Sequence, residues 1–238
     1  MKFLETSLGI FTKYSVLFFN GVKITLLLAI TGTVFGLIIG LIVGAIRAIT
    51  LEERSSKLAK AGKKVLDYIL TVYIEFFRGT PMMVQSFFMY YGLKSAGVNW
   101  TPIVAGIVII SINTGAYMSE IVRSGIQSVD KGQMEGARSV GMSHLQTMFY
   151  IIIPQAIRNS FPSIINEFIV NIKDSSVLNV IAVNDLYFQG SSVAGSVFKY
   201  TETFFVVAMI YLCLTYPTSK ILGFIEKRMA NTTGKVGA

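Results

Sequence analysis

A cluster of charged and amide side chains lies within nine positions of an otherwise apolar segment. Its members are Asn166, Glu167, Asn171, Lys173 and Asp174. On a helix, Glu167 and Asn171 share one face because they are four residues apart, as do Asn166 and Lys173 at a spacing of seven. Two interpretations are open: an ion pair of Lys173 with Glu167 or Asp174, or a polar pocket that holds the ammonium and carboxylate groups of a zwitterion.

Three further polar residues could complete such a pocket. Asn113 and Thr114 lie in one apolar segment, and Arg78 begins an Arg-Gly-Thr-Pro sequence that interrupts another. In lipid, a charge, a glycine and a proline are costly unless they line protein or water. Two explanations fit this interruption. Pro81 kinks a helix where the Thr80 hydroxyl satisfies a freed carbonyl, or Arg78 lies near a path through the membrane.

The composition places these residues in a membrane protein. Of 238 residues, 53% are apolar and 14% are charged, with a mean hydropathy of +0.61, whereas soluble domains carry about 25% charged residues. A helix needs roughly 20 apolar residues to cross a bilayer core. We therefore predict an all-α integral membrane protein in which residues 1–238 form one transmembrane domain. Its five spans are expected at about 22–46, 65–91, 101–121, 161–183 and 203–224.

The basic residues indicate which ends of the spans face the cytoplasm. Of the 21 lysines and arginines, 14 fall between spans one and two, between spans three and four, or at and beyond the C-terminal end of span five. The positive-inside rule then places the N-terminus outside and the C-terminus in the cytoplasm. The net charge of +8 follows from this concentration of basic residues on the cytoplasmic side, and nucleic acid binding is not needed to explain it. These residues are Arg47, Arg54, Lys57, Lys60, Lys63, Lys64, Arg123, Lys131, Arg138, Arg158, Lys220, Lys227, Arg228 and Lys235.

The first predicted span contains four glycines, each four residues from the next: Gly32, Gly36, Gly40 and Gly44. Small residues at this spacing let a second helix approach closely, which drives association in lipid. The pattern predicts helix packing. It leaves open whether the second helix belongs to the same chain or to another subunit.

The predicted cytoplasmic connection at about 128–154 has the pattern of two short helices that meet at a bend. Gln133 to Val140 favours a helix, Gly141 has the position of a left-handed C-terminal cap, and Ser143 to Gln146 is a capping box that begins the next helix. Such a pair would project side chains including Glu135 away from the membrane. Helix-in-groove docking is the matching mode of recognition.

This connection resembles the EAA loop of the permease subunits of bacterial ATP-binding-cassette importers. The resemblance rests on Glu135, Gly136, Ala137, Gly141, Ile151 and Pro154. Gly136 replaces the middle alanine of the family pattern, and Ile153 replaces the leucine before the proline. The segments Phe77 to Pro81, Asn113 to Tyr117 and Lys173 to Ser176 are similar to the histidine, glutamine and arginine permease subgroup, and the match runs from about Gly21 to Arg228.

The resemblance implies a multi-pass permease subunit in the bacterial cytoplasmic (inner) membrane, surrounded by the lipid bilayer. Glu135, Gly136, Ala137, Gly141 and Pro154 would couple it to an ABC ATPase subunit dimer. A second permease subunit, the same or homologous, would complete the path for an amino acid, and an extracytoplasmic binding protein would deliver it. This chain is expected to bind no cofactor. ATP and Mg would be bound by the partner ATPase, and the sequence itself contains no Gly-x-x-x-x-Gly-Lys-Ser/Thr loop.

Two other classes of protein agree less well with the sequence. An enzyme or metal site is disfavoured because His144 is the only histidine and no His-Glu-x-x-His pattern occurs. An ion-coupled secondary transporter of small polar solutes is the alternative, since such carriers also need polar groups within their spans. Five spans, the absence of a visible inverted repeat and the loop motif favour the ATP-driven importer.

Overall fold

The computed structural model describes residues 2–49 and 56–233 of the chain, and every regular element in these ranges is helical. The predicted all-α class is therefore confirmed. Of the basic residues used to assign topology, Arg54 and Lys235 lie outside the described ranges. The elements are α1 (Lys2–Ala48), α2 (Lys57–Gly79), α3 (Met82–Ser95), α4 (Pro102–Gln127), α5 (Lys131–Ser139), α6 (His144–Thr147), a π-helical turn (Met148–Ile152), α7 (Ile153–Asp174), a 3₁₀ turn (Ser175–Ile181), α8 (Leu186–Val197) and α9 (Tyr200–Thr233).

Three helices in the described ranges are long and apolar enough to cross a membrane. They are α1, α4 and the part of α9 that covers Tyr200–Glu226. α1 extends well before the predicted first span, and Tyr14 marks a kink within it, with φ −112° and ψ 17°. α2 and α7, which cover most of the second and fourth predicted spans, are helical but carry more polar side chains.

The second predicted span is divided into α2 and α3 by Pro81. A proline disfavours helical geometry at the residue before it, and Thr80 is accordingly extended, with φ −123° and ψ 150°. The Thr80 hydroxyl donates to the carbonyl of Phe76 at 2.7 Å, which is the compensation expected from the sequence. The chain therefore breaks within the apolar segment and restarts as α3.

The glycine ladder lies against α4 of the same chain. Its four members are buried and face residues that are also spaced by four. Residue numbers increase in the same direction along both helices, so α1 and α4 run parallel, as spans one and three must if both cross from outside to inside. The glycine ladder therefore packs against another helix of the same chain. The facing pairs are Gly32 with Ile110, Gly36 with Thr114, Gly40 with Met118, and Gly44 with Val122.

α8 packs against both α1 and α9. Its N-terminal cap is Asp185, a fully buried residue whose Oδ1 accepts a hydrogen bond from the Phe188 amide at 3.0 Å. The Tyr211 hydroxyl of α9 donates to the other carboxylate oxygen at 3.4 Å, and the Leu186 amide donates to Thr25 of α1 at 3.1 Å. The start of α8 is therefore joined to α9 through Asp185 and to α1 through the Leu186 amide.

Candidate functional site

The bend between α5 and α6 is a Schellman motif centred on Gly141. The Met142 amide donates to the Ala137 carbonyl at 3.2 Å, and the Gly141 amide donates to the Arg138 carbonyl at 3.0 Å. Gly141 has a φ of +87°, the left-handed conformation that favours glycine. The helix ends at Ser139, and the chain turns sharply into the next one.

α6 begins with the predicted capping box. The Gln146 amide donates to Ser143 Oγ at 3.3 Å, and the Ser143 amide donates to Gln146 Oε1 at 2.9 Å. Glu135, Gly136 and Gly141 are exposed, whereas Ala137 is buried. The outer side of this bend therefore presents backbone and side chains that this chain leaves uncovered, including Leu145.

Two exposed aromatic residues beside the bend were not predicted from the sequence. Phe149 and Tyr150 are 62% and 74% exposed, and both lie in the π-helical turn. Pro154, which is exposed in the first turn of α7, has no amide hydrogen to donate to the Tyr150 carbonyl. The turn widens, and the Ile153 amide donates to Met148 instead. The position of the proline was the available signal for this change of register.

The break between α2 and α3 is held by two amide side chains. Gln85 Nε2 donates to the carbonyls of Phe77 at 3.0 Å and Thr80 at 2.9 Å. Asn113 of α4 donates to Gln85 Oε1 at 2.8 Å and to Phe77 O at 3.2 Å. The predicted pocket residue Asn113 is thus engaged in satisfying backbone groups that the proline has freed.

Two other predicted pocket residues hydrogen-bond to each other across helices. The Thr114 hydroxyl of α4 donates to Asn171 Oδ1 of α7 at 3.0 Å, and Asn171 Nδ2 donates to Thr33 Oγ1 of α1 at 2.9 Å. Thr114 and Asn171 are both buried. This chain of bonds fixes α1, α4 and α7 relative to one another, immediately behind the polar face of α7.

The remaining polar residues of α7 are more accessible. Glu167 and Asp174 are half-buried, while Asn166 and Lys173 are exposed. Among the described residues, Lys173 forms no ion pair within 4.0 Å, so the structure does not contain the ion pair considered from the sequence. Arg78 and Asp174 are the charged groups that act electrostatically on Glu167.

Glu120 is the centre of an ionic cluster formed by the inner ends of α1 and α4 and the C-terminal end of α2. Its Oε1 accepts from Arg47 Nη1 at 2.7 Å, and its Oε2 accepts from Arg123 Nη2 at 2.7 Å. Arg78 Nη1 is 3.9 Å from Oε2. Arg78 is a predicted path residue, whereas the sequence indicates only a topological role for Arg47 and Arg123. Glu120 is not predicted, because no local pattern distinguishes it.

A polar cavity of about 390 Å³ opens beside this cluster, between α4 and α7. Arg78 lines it, and its guanidinium carbon lies over the Tyr117 ring, 5.5 Å from the centroid. The structure therefore brings the break after α2, the inner half of α4 and one face of α7 together around a single polar space. Its lining residues are Arg78, Tyr117, Glu120, Ile121, Arg123, Ser124, Gly125, Ser128, Asn159, Ser160 and Ser163.

Comparison with known proteins gives consistent relationships. The chain is 42% identical over 166 residues to the probable glutamine ABC transporter permease protein GlnM of Bacillus subtilis, covering 70% of this chain and 77% of that protein. It is 36% identical over 215 residues to the glutamine transport system permease protein GlnP of Escherichia coli, covering 90% and 93%.

Solved structures show the same architecture. A chain from the crystal structure of an amino acid ABC transporter with histidines is 38% identical, with a TM-score of 0.80 over 91% of this chain and 96% of that chain. A chain of the inward-facing MetNI methionine ABC transporter is 18% identical, with a TM-score of 0.75, and shares the fold. The model of the family described as binding-protein-dependent transport system inner membrane component matches residues 40–231. The chain belongs to this family of membrane transport subunits.

Proposed function

We propose that this chain is the transmembrane subunit of an ATP-driven importer of a polar amino acid in the bacterial cytoplasmic membrane. Family membership supports a partner ATPase and a substrate-binding protein in general. The two relatives described as glutamine permease proteins support a polar amino acid as the substrate. In this proposal a second permease subunit, identical or homologous, forms the other half of the path.

The observation that carries the proposal is the exposed bend between α5 and α6. Gly141 and the capping box hold two short helices at a fixed angle, and Glu135, Leu145 and Tyr150 remain uncovered by this chain. A preformed helical bend of this kind suits a groove on a partner. We assign Glu135, Gly136, Ala137, Gly141 and Pro154 to contact with an ATPase dimer that binds ATP and Mg.

The polar face of α7 is proposed to line the path. An unpaired charge is costly in a low-dielectric environment, so a zwitterion crossing the membrane needs a partner for each of its charges. Glu167 or Asp174 can meet the ammonium group. Thr114 and Asn171 support this face from behind through the hydrogen bond between them, and Asn113 holds the adjacent α2–α3 break through Gln85. Asn166 and Lys173 extend the face at the surface.

Reconstitution tests this proposal against the alternative of ion-coupled transport. The chain is incorporated into liposomes with and without the ATPase and the binding protein, and uptake of a panel of radiolabelled amino acids is measured. We expect uptake only with both partners and ATP. Uptake that needs no ATPase and disappears when ionophores collapse the proton and sodium gradients would establish the secondary transporter instead.

A further inference from the structure

We propose that Arg78 binds the α-carboxylate of the transported amino acid in the cavity between α4 and α7. This inference rests on the proposed function, because it assigns one end of the substrate to a particular side chain. The cavity of about 390 Å³ is within the range of small-molecule sites, about 300–1,000 Å³. It lies beside the N-terminal half of α7, and its lining includes Ser128 and Asn159, which lie next to the connection assigned to the cytoplasm.

The hydrogen-bonding capacity of Arg78 is unused. Its guanidinium makes no hydrogen bond within the described parts of the chain, although its side chain is only 41% exposed. The guanidinium carbon lies over the Tyr117 ring, 5.5 Å from its centroid, which is a cation–π distance. A planar guanidinium is the group best suited to bind a carboxylate through two parallel hydrogen bonds.

Glu120 is shared by three guanidinium groups, and Arg78 is the most distant of them. Each of its oxygens accepts a 2.7 Å hydrogen bond, one from Arg47 and one from Arg123, while Arg78 stays at 3.9 Å. Glu120 is also the only acidic side chain in the described lining of the cavity. Three guanidinium groups face one carboxylate, so the cluster has an excess of positive charge that an anionic ligand would balance.

Nearby hydroxyl groups could donate to the same ligand. Ser124 and Ser163 line the cavity, are exposed, and make no side-chain hydrogen bond with any residue that the structure describes. Ser163 is four residues before Glu167 and therefore shares its face of α7, about one helical turn of 5.4 Å away. A zwitterion could thus present its carboxylate to Arg78 and its ammonium toward Glu167, on which Arg78 acts electrostatically.

Binding of a matched pair of probes tests the assignment. L-glutamine and its α-amide differ only in the carboxylate group, and their affinities for the purified permease–ATPase complex can be measured by calorimetry without the binding protein. We expect the acid to bind at least about tenfold more tightly than the amide, as a charge-assisted bidentate contact predicts. If uptake assays show another amino acid to be the substrate, that amino acid and its own α-amide replace these probes.

Arg78→Gln should abolish the preference for the acid, while Arg158→Gln should retain it. Arg158 is exposed on α7 and does not line the cavity. Arg78→Lys keeps the charge but loses the planar guanidinium, so it should show an intermediate preference for the acid. This variant replaces Arg78→Gln in the test if the Arg78→Gln complex fails to assemble. Any of three results would overturn the inference. The wild type could bind acid and amide with equal affinity, a complex that transports the acid could bind neither, or Arg78→Gln could keep the full preference for the acid. Absence of amino acid uptake under all conditions would instead overturn the proposed function.

A lipid phosphate group has related oxyanion chemistry and is distinguished by a second arm of the experiment. The same titrations are made in nanodiscs of phosphatidylcholine alone and of phosphatidylcholine mixed with phosphatidylglycerol. We expect equal affinities for the amino acid in both. The amino acid would instead bind more weakly in the anionic nanodiscs if a lipid headgroup competes for the site, and Arg78→Gln would then show no difference between the two nanodiscs. That result would assign the site to a lipid headgroup and overturn its assignment to substrate.

Discussion

Gly36 of α1 and Thr114 of α4 are in direct contact across the interface of these parallel helices. A Cβ atom built on Gly36 would lie 2.6 Å from Thr114 Cγ2 and 2.8 Å from Thr114 Cβ. Thr114 cannot readily turn away, because its hydroxyl donates to Asn171 at 3.0 Å. The absence of a side chain at Gly36 is therefore a condition for both the helix contact and the hydrogen bonds behind the polar face of α7.

Replacing Gly36 by leucine should strongly destabilise the protein. The side chain must force α1 and α4 apart, and overpacking of this kind costs about 1–3 kcal/mol or more. The measurement is the thermal unfolding midpoint of the detergent-purified protein. Gly62→Leu is the matched control, because Gly62 is exposed on α2 and a Cβ there would meet nothing within 4 Å. An unchanged midpoint for Gly36→Leu would show that the glycine contact is not required.

The glycine spacing predicted close packing but not the identity of the second helix. A ladder in one helix defines a surface, whereas its partner is fixed by tertiary contacts such as those of Ile110 and Met118. The bend at Gly141 was predictable in more detail. Its hydrogen bonds join residues within six positions of each other, so local sequence is sufficient to specify it.

The structural role of Gln85, unlike the bend at Gly141, could not be predicted from the local sequence. It lies one turn after Pro81, in α3, and its amide bonds to Phe77, Thr80 and Asn113. Two of these partners precede the break and the third comes from α4. A glutamine in an apolar segment signals only that some polar partner exists, and the partner cannot be named without the fold. Glu120 was missed for the same reason.

Gln85→Leu should therefore lower stability, because it leaves buried carbonyl groups of the α2–α3 break without donors. Loss of hydrogen bonds to buried groups costs about 1–3 kcal/mol for each group left unsatisfied. Gln189→Leu is the control, since the Gln189 side chain makes no hydrogen bond with a described residue and is half-buried on α8. Chemical unfolding monitored by tryptophan fluorescence compares the two variants. Equal loss in both would indicate that the bonds of Gln85 contribute nothing specific.

Gly141→Val should impair assembly with the ATPase. Gly141 has a φ of +87°, a conformation that a β-branched residue resists, so the bend between α5 and α6 would open. The amount of ATPase that co-purifies with the tagged permease measures the effect. Gly141→Asn is the matched control because asparagine tolerates this conformation, and it should retain most of the partner. If Gly141→Val recovers as much ATPase as the wild type, the bend is not required for docking.

Glu167→Gln should reduce transport while the complex still assembles and hydrolyses ATP. Glu167 is half-buried on the polar face of α7, with Arg78 and Asp174 acting on it, and it forms no ion pair within 4.0 Å among the described residues. The substitution keeps the shape and removes the charge that would meet an ammonium group. We expect a loss of about tenfold or more in uptake by proteoliposomes, the loss expected from one charge-assisted contact. Glu226→Gln, at an exposed position near the inner end of α9, should be unaffected.

The double variant Glu167→Gln with Lys173→Met separates a role in the path from a structural one. If Glu167 served mainly to balance Lys173, removal of both charges would restore uptake. Lys173 is exposed and has no ion pair within 4.0 Å in the described ranges, so we expect uptake to stay low in the double variant while co-purification of the ATPase and its activity remain normal. Full uptake by the single Glu167→Gln variant would remove Glu167 from the path. Restored uptake in the double variant would assign it to charge balance with Lys173.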